Sequence, residues 1–364
     1  MTTTEITRDL RDLDKDGLTA LMESLGEKPY RARQVYDWLF HKNAASISDM
    51  TDLSLSLRDR LEADGFYLGS PELIQERMSS DGSMKLVLGF KDGEQAECVL
   101  IPDDNRLTLC ISSQSGCALG CEFCMTGIVG AKRTGNNAVR NLTQSELIGQ
   151  VRAAEVLVRK GLFEGHIAVT NIVLMGMGEP LLNLDNVVSF IGILTDQGGM
   201  GYAARRVTLS TAGIVPAIKE LGKRATGINL AVSLNAATDE MRDWLMPINK
   251  RYPLKQLILA LREYPLKKRR RITIEYVLIK GINDTDKDAK RLARLLRHVE
   301  CMINLIPFNP FPGTEFERPE DAEVVRFQHL LLEEGYTAYI RASRGPDIGA
   351  ACGQLGSLRE GKVL

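Results

Sequence analysis

Residues 110–127 read CISSQSGCALGCEFCMTG and hold four of the seven cysteines of a 364-residue chain. Three of them, Cys117, Cys121 and Cys124, form a C-x3-C-x2-C run directly behind RLTLCIS, an apolar stretch with strand character. Further along, NIVLMG, RVTLST, INLAVSL, RITIEYVLI and INLIPF also read as short buried strands. They alternate with stretches of helical spacing such as QSELIGQVRAAEVLVRKG, VVSFIGILTDQG, AIKELGKR, LKQLILALREY and KDAKRLARLLRHV. Together these make six strand–helix units, and alternation of this kind predicts a parallel sheet covered by helices. A closed barrel of the type has about eight units. The expected fold is therefore α/β, a partial, open (β/α)6 barrel with a gap where a large substrate can approach. The cysteine run falls at the C-terminal end of its first strand, the end that carries the active site in alternating folds.

Upstream, DLDKDGLTALMESLG, RARQVYDWLFHK and SLSLRDRLEADG predict three short helices, an N-terminal helical domain over 1–75. One face of it carries Arg31, Arg33 and Lys42 with Tyr30, Tyr36 and Trp38. That face reads either as a nucleic-acid contact or as core aromatics beside solvated bases. KLVLGF and EQAECVLIP flank an Asp-Gly turn at 92–93, which predicts a β-hairpin in a linking segment over 76–105. The barrel is expected over 106–345. The tail over 346–364 holds Cys352 in SRGPDIGAACGQLGS, whose glycines suggest a mobile loop.

Forty-six basic and forty-seven acidic side chains leave a net charge of −1. No global field attracts a nucleic acid, so any such partner needs local basic patches; Lys267 to Arg271, Arg341 and Arg344 are candidates. The N-terminal stretch has no signal-type apolar core, and no run approaches a membrane span. The expectation is a cytoplasmic protein with no membrane partner, in which clustered cysteines bind metal or do chemistry rather than form structural bridges.

Three thiolates suit a soft metal centre. A structural zinc site wants four protein ligands, and His41, His166, His298 and His329 share no motif with the run. A [4Fe–4S] cluster on three cysteines leaves one iron open. The spacing, with Phe123 before the last cysteine, resembles the radical S-adenosylmethionine (SAM) superfamily. GEKPYRARQVYDWLFHK, MTDL, SSQSGCALGCEFC, LMGMGEP, STAG, IPFNPFPG and RASRGPDIGAACGQL occur in order over most of the chain. Together they resemble the RlmN/Cfr family of RNA adenine methyltransferases.

That resemblance implies a [4Fe–4S] cluster on Cys117, Cys121 and Cys124, and two SAM molecules per turnover. Gly178, Glu179, Ser210, Ser233, Leu234, Asn235 and Asn309 would bind SAM. The positions suit this: small residues after the strands admit the cofactor, and the Glu179 carboxylate can meet an ammonium group. Asn235 stands where other members carry His, which leaves a side-chain contact there open. Cys352 would carry the methyl group, Cys110 would resolve it through a transient disulfide, and Glu97 would accept the proton; otherwise Glu97 is a solvated strand carboxylate. Cys98 and Cys301 match no family role and read as core.

C2 of adenine is electron-poor and cannot attack a sulfonium methyl, so a carbon radical derived from the methyl of Cys352 would add to it, a covalent route. The implied partners are 23S rRNA, tRNA and a flavodoxin or ferredoxin as electron donor, with the chain a monomer. Methylation at C8, as by Cfr, is the near alternative; MGMGEPLLN and the N-terminal domain look more like the C2 enzymes. A zinc-stapled, non-catalytic RNA-binding factor and an activator of a glycyl-radical partner are the alternatives from other classes.

Overall fold

The structure, a computed structural model, describes residues 8–224 and 227–356, so the ends of the expected N-terminal domain and tail lie outside the described residues. Strand β1 (Arg8–Asp9) leads into helices α1 (Lys15–Ser24), α2 (Tyr30–Tyr36) and α3 (Leu55–Ala63), and β2 (Phe66–Tyr67) returns to pair with β1. Strands β3 (Glu72–Met78), β4 (Met84–Gly89), β5 (Gln95–Asp103) and β6 (Arg106–Ile111) follow as antiparallel neighbours. Next come α4 (Met125–Ala131), α5 (Gln144–Arg159), β7 (Asn171–Leu174), α6 (Leu184–Thr195), β8 (Val207–Thr211), α7 (Val215–Arg224) and β9 (Asn229–Ser233). The chain then forms α8 (Asp239–Leu245), α9 (Leu254–Arg262), β10 (Ile272–Leu278), α10 (Asp286–Leu296), β11 (Cys301–Pro307), α11 (Asp321–Glu333) and β12 (Ala338–Ile340).

One ten-stranded sheet runs in the order β12 to β3, and β6 to β12 are parallel to one another. Its edges are β12 and β3, so the barrel is open, as the sequence predicts. Helix sequences explain their own ends and faces. A reciprocal capping box between Thr143 and Glu146 starts α5. In α10, Ala289, Leu292, Ala293 and Leu296 repeat at the spacing that buries one stripe. Strand β10 is buried almost throughout, as a strand covered on both faces should be.

The structure adds β3, β12, α4, α8 and α11 to the elements read from sequence. Every residue of β3 is exposed, so ELIQERM shows no alternation to betray it. The N-terminal unit is not a free appendage. Tyr36 is buried and its hydroxyl donates to Asp196 at 2.9 Å, while Tyr30 is exposed. The core reading therefore holds for Tyr36, while Tyr30 faces solvent. Buried Arg11 donates to Gly69 O at 2.6 Å and Ala44 O at 2.7 Å, and Gln144 on α5 donates to Arg11 O at 2.6 Å. Arg11→Ala orphans one buried and one half-buried carbonyl that accept from a charged donor. Urea unfolding should show a loss of about 3 kcal/mol.

Candidate active site

The parallel register brings the C-terminal ends of β6 to β11 to one side of the sheet. The cysteine loop follows β6; Gly176, Gly178 and Glu179 follow β7; Ser210 ends β8; Ser233 to Asn235 end β9; Asn309 follows β11. Strand β5 runs antiparallel to β6, with Val99 opposite Cys110, so Glu97 reaches the same side. Ser112 Oγ donates to Glu97 O at 2.5 Å and accepts from Met177 N at 2.8 Å, fixing the strand beside the β7 loop. Lys267 to Arg271 precede β10 and so lie at the opposite end, where Arg271 donates to Thr337 Oγ1 at 3.0 Å. The structure thus moves that basic run away from the site. Cys301 begins β11 at that far end, and Cys98 is fully buried on β5, as core thiols.

Cys117 and Cys121 are buried and Cys124 is partly so. Burial pushes the Cys117 thiol up to about 12, with Cys124 and Glu179 adding to the rise. The Cys121 thiol is also raised by burial, then by Cys124 and Cys117. The three sulfurs thus lie within electrostatic reach of one another. Helix α4 packs directly on this loop. A Cβ on Gly130 would lie 2.2 Å from Cys117 O, and one on Gly127 2.9 Å from Cys121 N.

Glu179 is buried, and its carboxylate accepts from Leu181 N at 3.0 Å and Ala212 N at 2.7 Å. Burial raises its pKa and these donors oppose the rise. Gly178 has φ +99°, and a Cβ there would strike the Gln114 side chain at 2.6 Å, so the β7 loop closes on the cysteine loop only with glycine. Asn235 is buried with φ 58°. Its Oδ1 accepts from Val277 N at 2.9 Å and its Nδ2 faces Met246 Sδ at 3.3 Å, so this side chain shapes the loop.

Cys352 is exposed, but its loop is held on several sides. Asn309 Nδ2 donates to Cys352 O at 3.1 Å, Met125 N to Gly353 O at 2.8 Å, and Gln354 Nε2 to Pro310 O at 2.8 Å. Thr126 Oγ1 donates to Leu355 O. From the β3–β4 turn, Ser79 Oγ reaches Asp347 at 2.5 Å, and Asp81 accepts from Gly345 N at 2.9 Å. A loop expected to be mobile is thus docked, by partners too far along the chain for its composition to disclose.

Cys110 packs with Ala350 and Leu355, which flank Cys352. Burial pushes the Cys110 thiol up to about 12, and Cys352 adds to it. Desolvation pushes the Cys352 thiol up to about 11; Glu275 adds to the rise and Arg341 opposes it, with Cys124 also raising it. Cys352 therefore lies within electrostatic reach of both Cys110 and the cysteine loop. All seven cysteines are free.

Glu97 is buried, and burial raises its pKa against the opposing effects of Lys85 and the Gly356 N–H. Lys85, equally buried, sits 3.4 Å from Glu97 Oε2 without hydrogen-bond alignment, and donates to Gly349 O at 3.2 Å. Sequence reading did not single out Lys85, Glu275 or Arg242. The first two are legible in hindsight as ionisable residues inside the apolar strands KLVLGF and RITIEYVLI. Arg242, within DEMRDWL, gives no such signal.

Residues 8–65 match the ribosomal RNA large subunit methyltransferase N-terminal domain family, and 111–293 match the radical SAM superfamily. The crystal structure of a radical SAM methyltransferase from Sphaerobacter thermophilus matches with TM-score 0.85 and 42% identity, over 95% of this chain and 98% of that one. Fold and site define a radical SAM methyltransferase. The dual-specificity RNA methyltransferase RlmN of Anaeromyxobacter dehalogenans is 48% identical over 350 residues, 96% of this chain and 92% of that protein. RlmN of Pelobacter propionicus is 46% identical over 348 residues, 95% of each. The chain belongs to the RlmN family of dual-specificity RNA methyltransferases.

The cofactors of this class are a [4Fe–4S] cluster and SAM. The donor set fits the cluster: three cysteine thiols of one loop, within electrostatic reach of one another, are the soft ligands that an iron–sulfur cluster takes. Gly130→Ala pushes α4 off Cys117 O. Anaerobically reconstituted variant should hold less than about half the iron and sulfide of wild type, read by chemical analysis.

Proposed function

We propose that this enzyme, acting in the cytoplasm, methylates C2 of an adenine in 23S rRNA and of one in tRNA, with Cys352 as the methyl carrier. The relatives that bear the dual-specificity name support the RNA substrates. The observation that carries the site reading is the docking of the Cys352 loop beside both the cysteine triad and Cys110.

In this reading Gly178, Glu179, Ser210, Ser233, Leu234, Asn235 and Asn309 hold SAM, Asn235 through its backbone. The Cys352 thiol gives up its proton and takes a methyl group as the sulfonium–methyl bond breaks. Cys117, Cys121 and Cys124 would hold a cluster that, with a second SAM, would supply the radical chemistry that removes one hydrogen atom from that methyl. Cys352 then presents the carbon to adenine C2. Glu97 takes the C2 proton. Cys110 attacks the Cys352 sulfur, an S–S bond replaces the C–S bond, and the carbon leaves with the base, gaining a proton. The surplus electron would have the cluster held by the cysteine triad as its acceptor. A flavodoxin or ferredoxin supplies the starting electron.

We assign the segment 1–75, with exposed Tyr30, and Arg341 and Arg344 near the docked loop to the RNA footprint. Residues 76–105 form the hairpin extension, 106–345 the barrel, and 346–364 the segment that carries Cys352. The target adenine has to leave its stack to reach Cys352, which favours a loop or junction. C8 methylation is separated by mapping the methyl group on the product.

With SAM bearing a trideuterated methyl group, the product adenine should keep two of the three deuteriums, by mass spectrometry. Retention of all three would mean that no hydrogen was abstracted. The base assignment predicts a pH dependence as well. Glu97 has to be ionised to accept a proton, and burial raises its folded pKa above the usual carboxylate range. Methylation should therefore fall away on acidification at a pH above that range. Lys85→Met removes the nearby cation and should shift this limb further up in pH. Glu97→Gln should cost about a hundredfold or more in single-turnover rate while Cys352 is still methylated.

A further inference from the structure

Arg242 on α8 heads the largest fully buried side chains of the protein, at 0% exposure. Its guanidinium donates to Leu234 O at 3.0 Å, Ala212 O at 2.6 Å, Ser233 O at 3.2 Å and Asn249 Oδ1 at 3.0 Å. Three of these acceptors are backbone carbonyls of the segments that follow β8 and end β9. One planar fork thus ties together the two loops assigned to SAM.

The hydrogen bonds do not account for the charge. Burying an unpaired cation costs several kcal/mol, and Arg242 forms no ion pair among the described residues. Asp239 and Asp243 influence it, but both accept from Asn249 Nδ2, at 2.9 and 2.7 Å, and Asp239 also accepts from Leu254 N at 2.8 Å. Cys121 lies in the same part of the core as this fork, clustered with Ala212, whose carbonyl Arg242 binds, and its electrostatic influence reaches the guanidinium. Cys121 packs with Ala212, Leu245 and Met246 around the end of α8, and Glu122 N donates to Leu245 O at 3.1 Å. A guanidinium stays charged near neutral pH even where it is buried.

We propose that Arg242 is a positioning residue that clamps both SAM loops and serves as the buried counter-ion of the iron–sulfur cluster. Three thiolates carrying a cluster bring net negative charge next to the guanidinium, and reduction adds one more. A fixed cation there favours the reduced form and raises the reduction potential. The inference rests on the triad's carrying the cluster, a reading that iron content tests separately.

Anaerobically reconstituted wild type, Arg242→Gln and Arg242→Lys are compared by redox titration followed by electron paramagnetic resonance, without SAM, and by equilibrium dialysis of SAM. Arg242→Gln should show a reduced-to-oxidised ratio about tenfold lower at a fixed potential, about 59 mV for a one-electron couple. Arg242→Lys keeps the charge and loses the fork. Its ratio should stay within about threefold of wild type while SAM affinity falls about tenfold. A wild-type potential in fully loaded Arg242→Gln overturns the counter-ion, and wild-type SAM affinity in Arg242→Lys overturns the clamp. Should Arg242→Gln fail to fold by circular dichroism, Arg242→Lys decides: wild-type potential with weakened SAM binding supports the proposal, and any other combination overturns it. Wild type that assembles no four-iron cluster overturns the triad reading and this inference with it.

Discussion

The proposed chemistry depends on holding the Cys352 thiol, on a stretch without extended secondary structure, beside Cys110 and the cysteine triad. Ordering each backbone residue costs about 1–2 kcal/mol, so the segment around Cys352 needs many tethers to stay in place. They come from three places far apart in sequence: the β3–β4 turn, the residue after β11 that grips Cys352 O, and the start of α4. Glycine permits the closest of these approaches. Gly353 has φ +85°, and a Cβ there would meet Phe123 O at 3.1 Å. The loop that brings Cys352 is thus seated on the loop that brings the cysteine triad.

Burial sets the electrostatics of the site. Burial pushes the Cys110 thiol up to about 12, so it rests as a neutral thiol near neutral pH and is a poor nucleophile until a proton is removed. In the proposed relay this holds Cys110 back until its partner is in place. The carboxylates follow the same rule. Glu97, Glu179 and Glu275 are all raised by burial, Glu275 to about 7. Each also keeps a partner that limits the rise: Lys85, two backbone N–H groups, and Asn304, respectively.

The barrel was legible because each of its buried strands is a short apolar run between amphipathic helices. The cysteine spacing and the motifs after each strand placed the candidate site at the C-terminal ends of the parallel strands, and the register brings those ends to one side. Elements whose residues face water along most of their length were not legible; β3 has no buried position at all. Nor could sequence weigh Arg242 against the charges around it. In DEMRDWL it looks like a solvated residue, and only the packing of α8 against Ala212 and Cys121 buries it. The Cys352 loop failed for the opposite reason. Its glycines read as freedom, whereas two of them, Gly353 and Gly356, serve close contact with distant backbone.

The hairpin extension joins two demands that a bare barrel would leave separate. Lys85 faces Val99 across β4 and β5, and Glu97 faces Val87, so the two ionisable residues are diagonal neighbours on one side of the ribbon. A long lysine side chain spans that diagonal, which brings Nζ to 3.4 Å from Glu97 and leaves it able to donate to Gly349 O. Glu97 in turn receives the Gly356 N–H. Glu97 is therefore bracketed by the two ends of the segment that carries Cys352. Displacing that segment would strip Lys85 of its carbonyl and Glu97 of a donor together. The Glu97 anion is best stabilised when that segment is seated, so the position of the Cys352 loop and the protonation of Glu97 are linked through one buried ion pair.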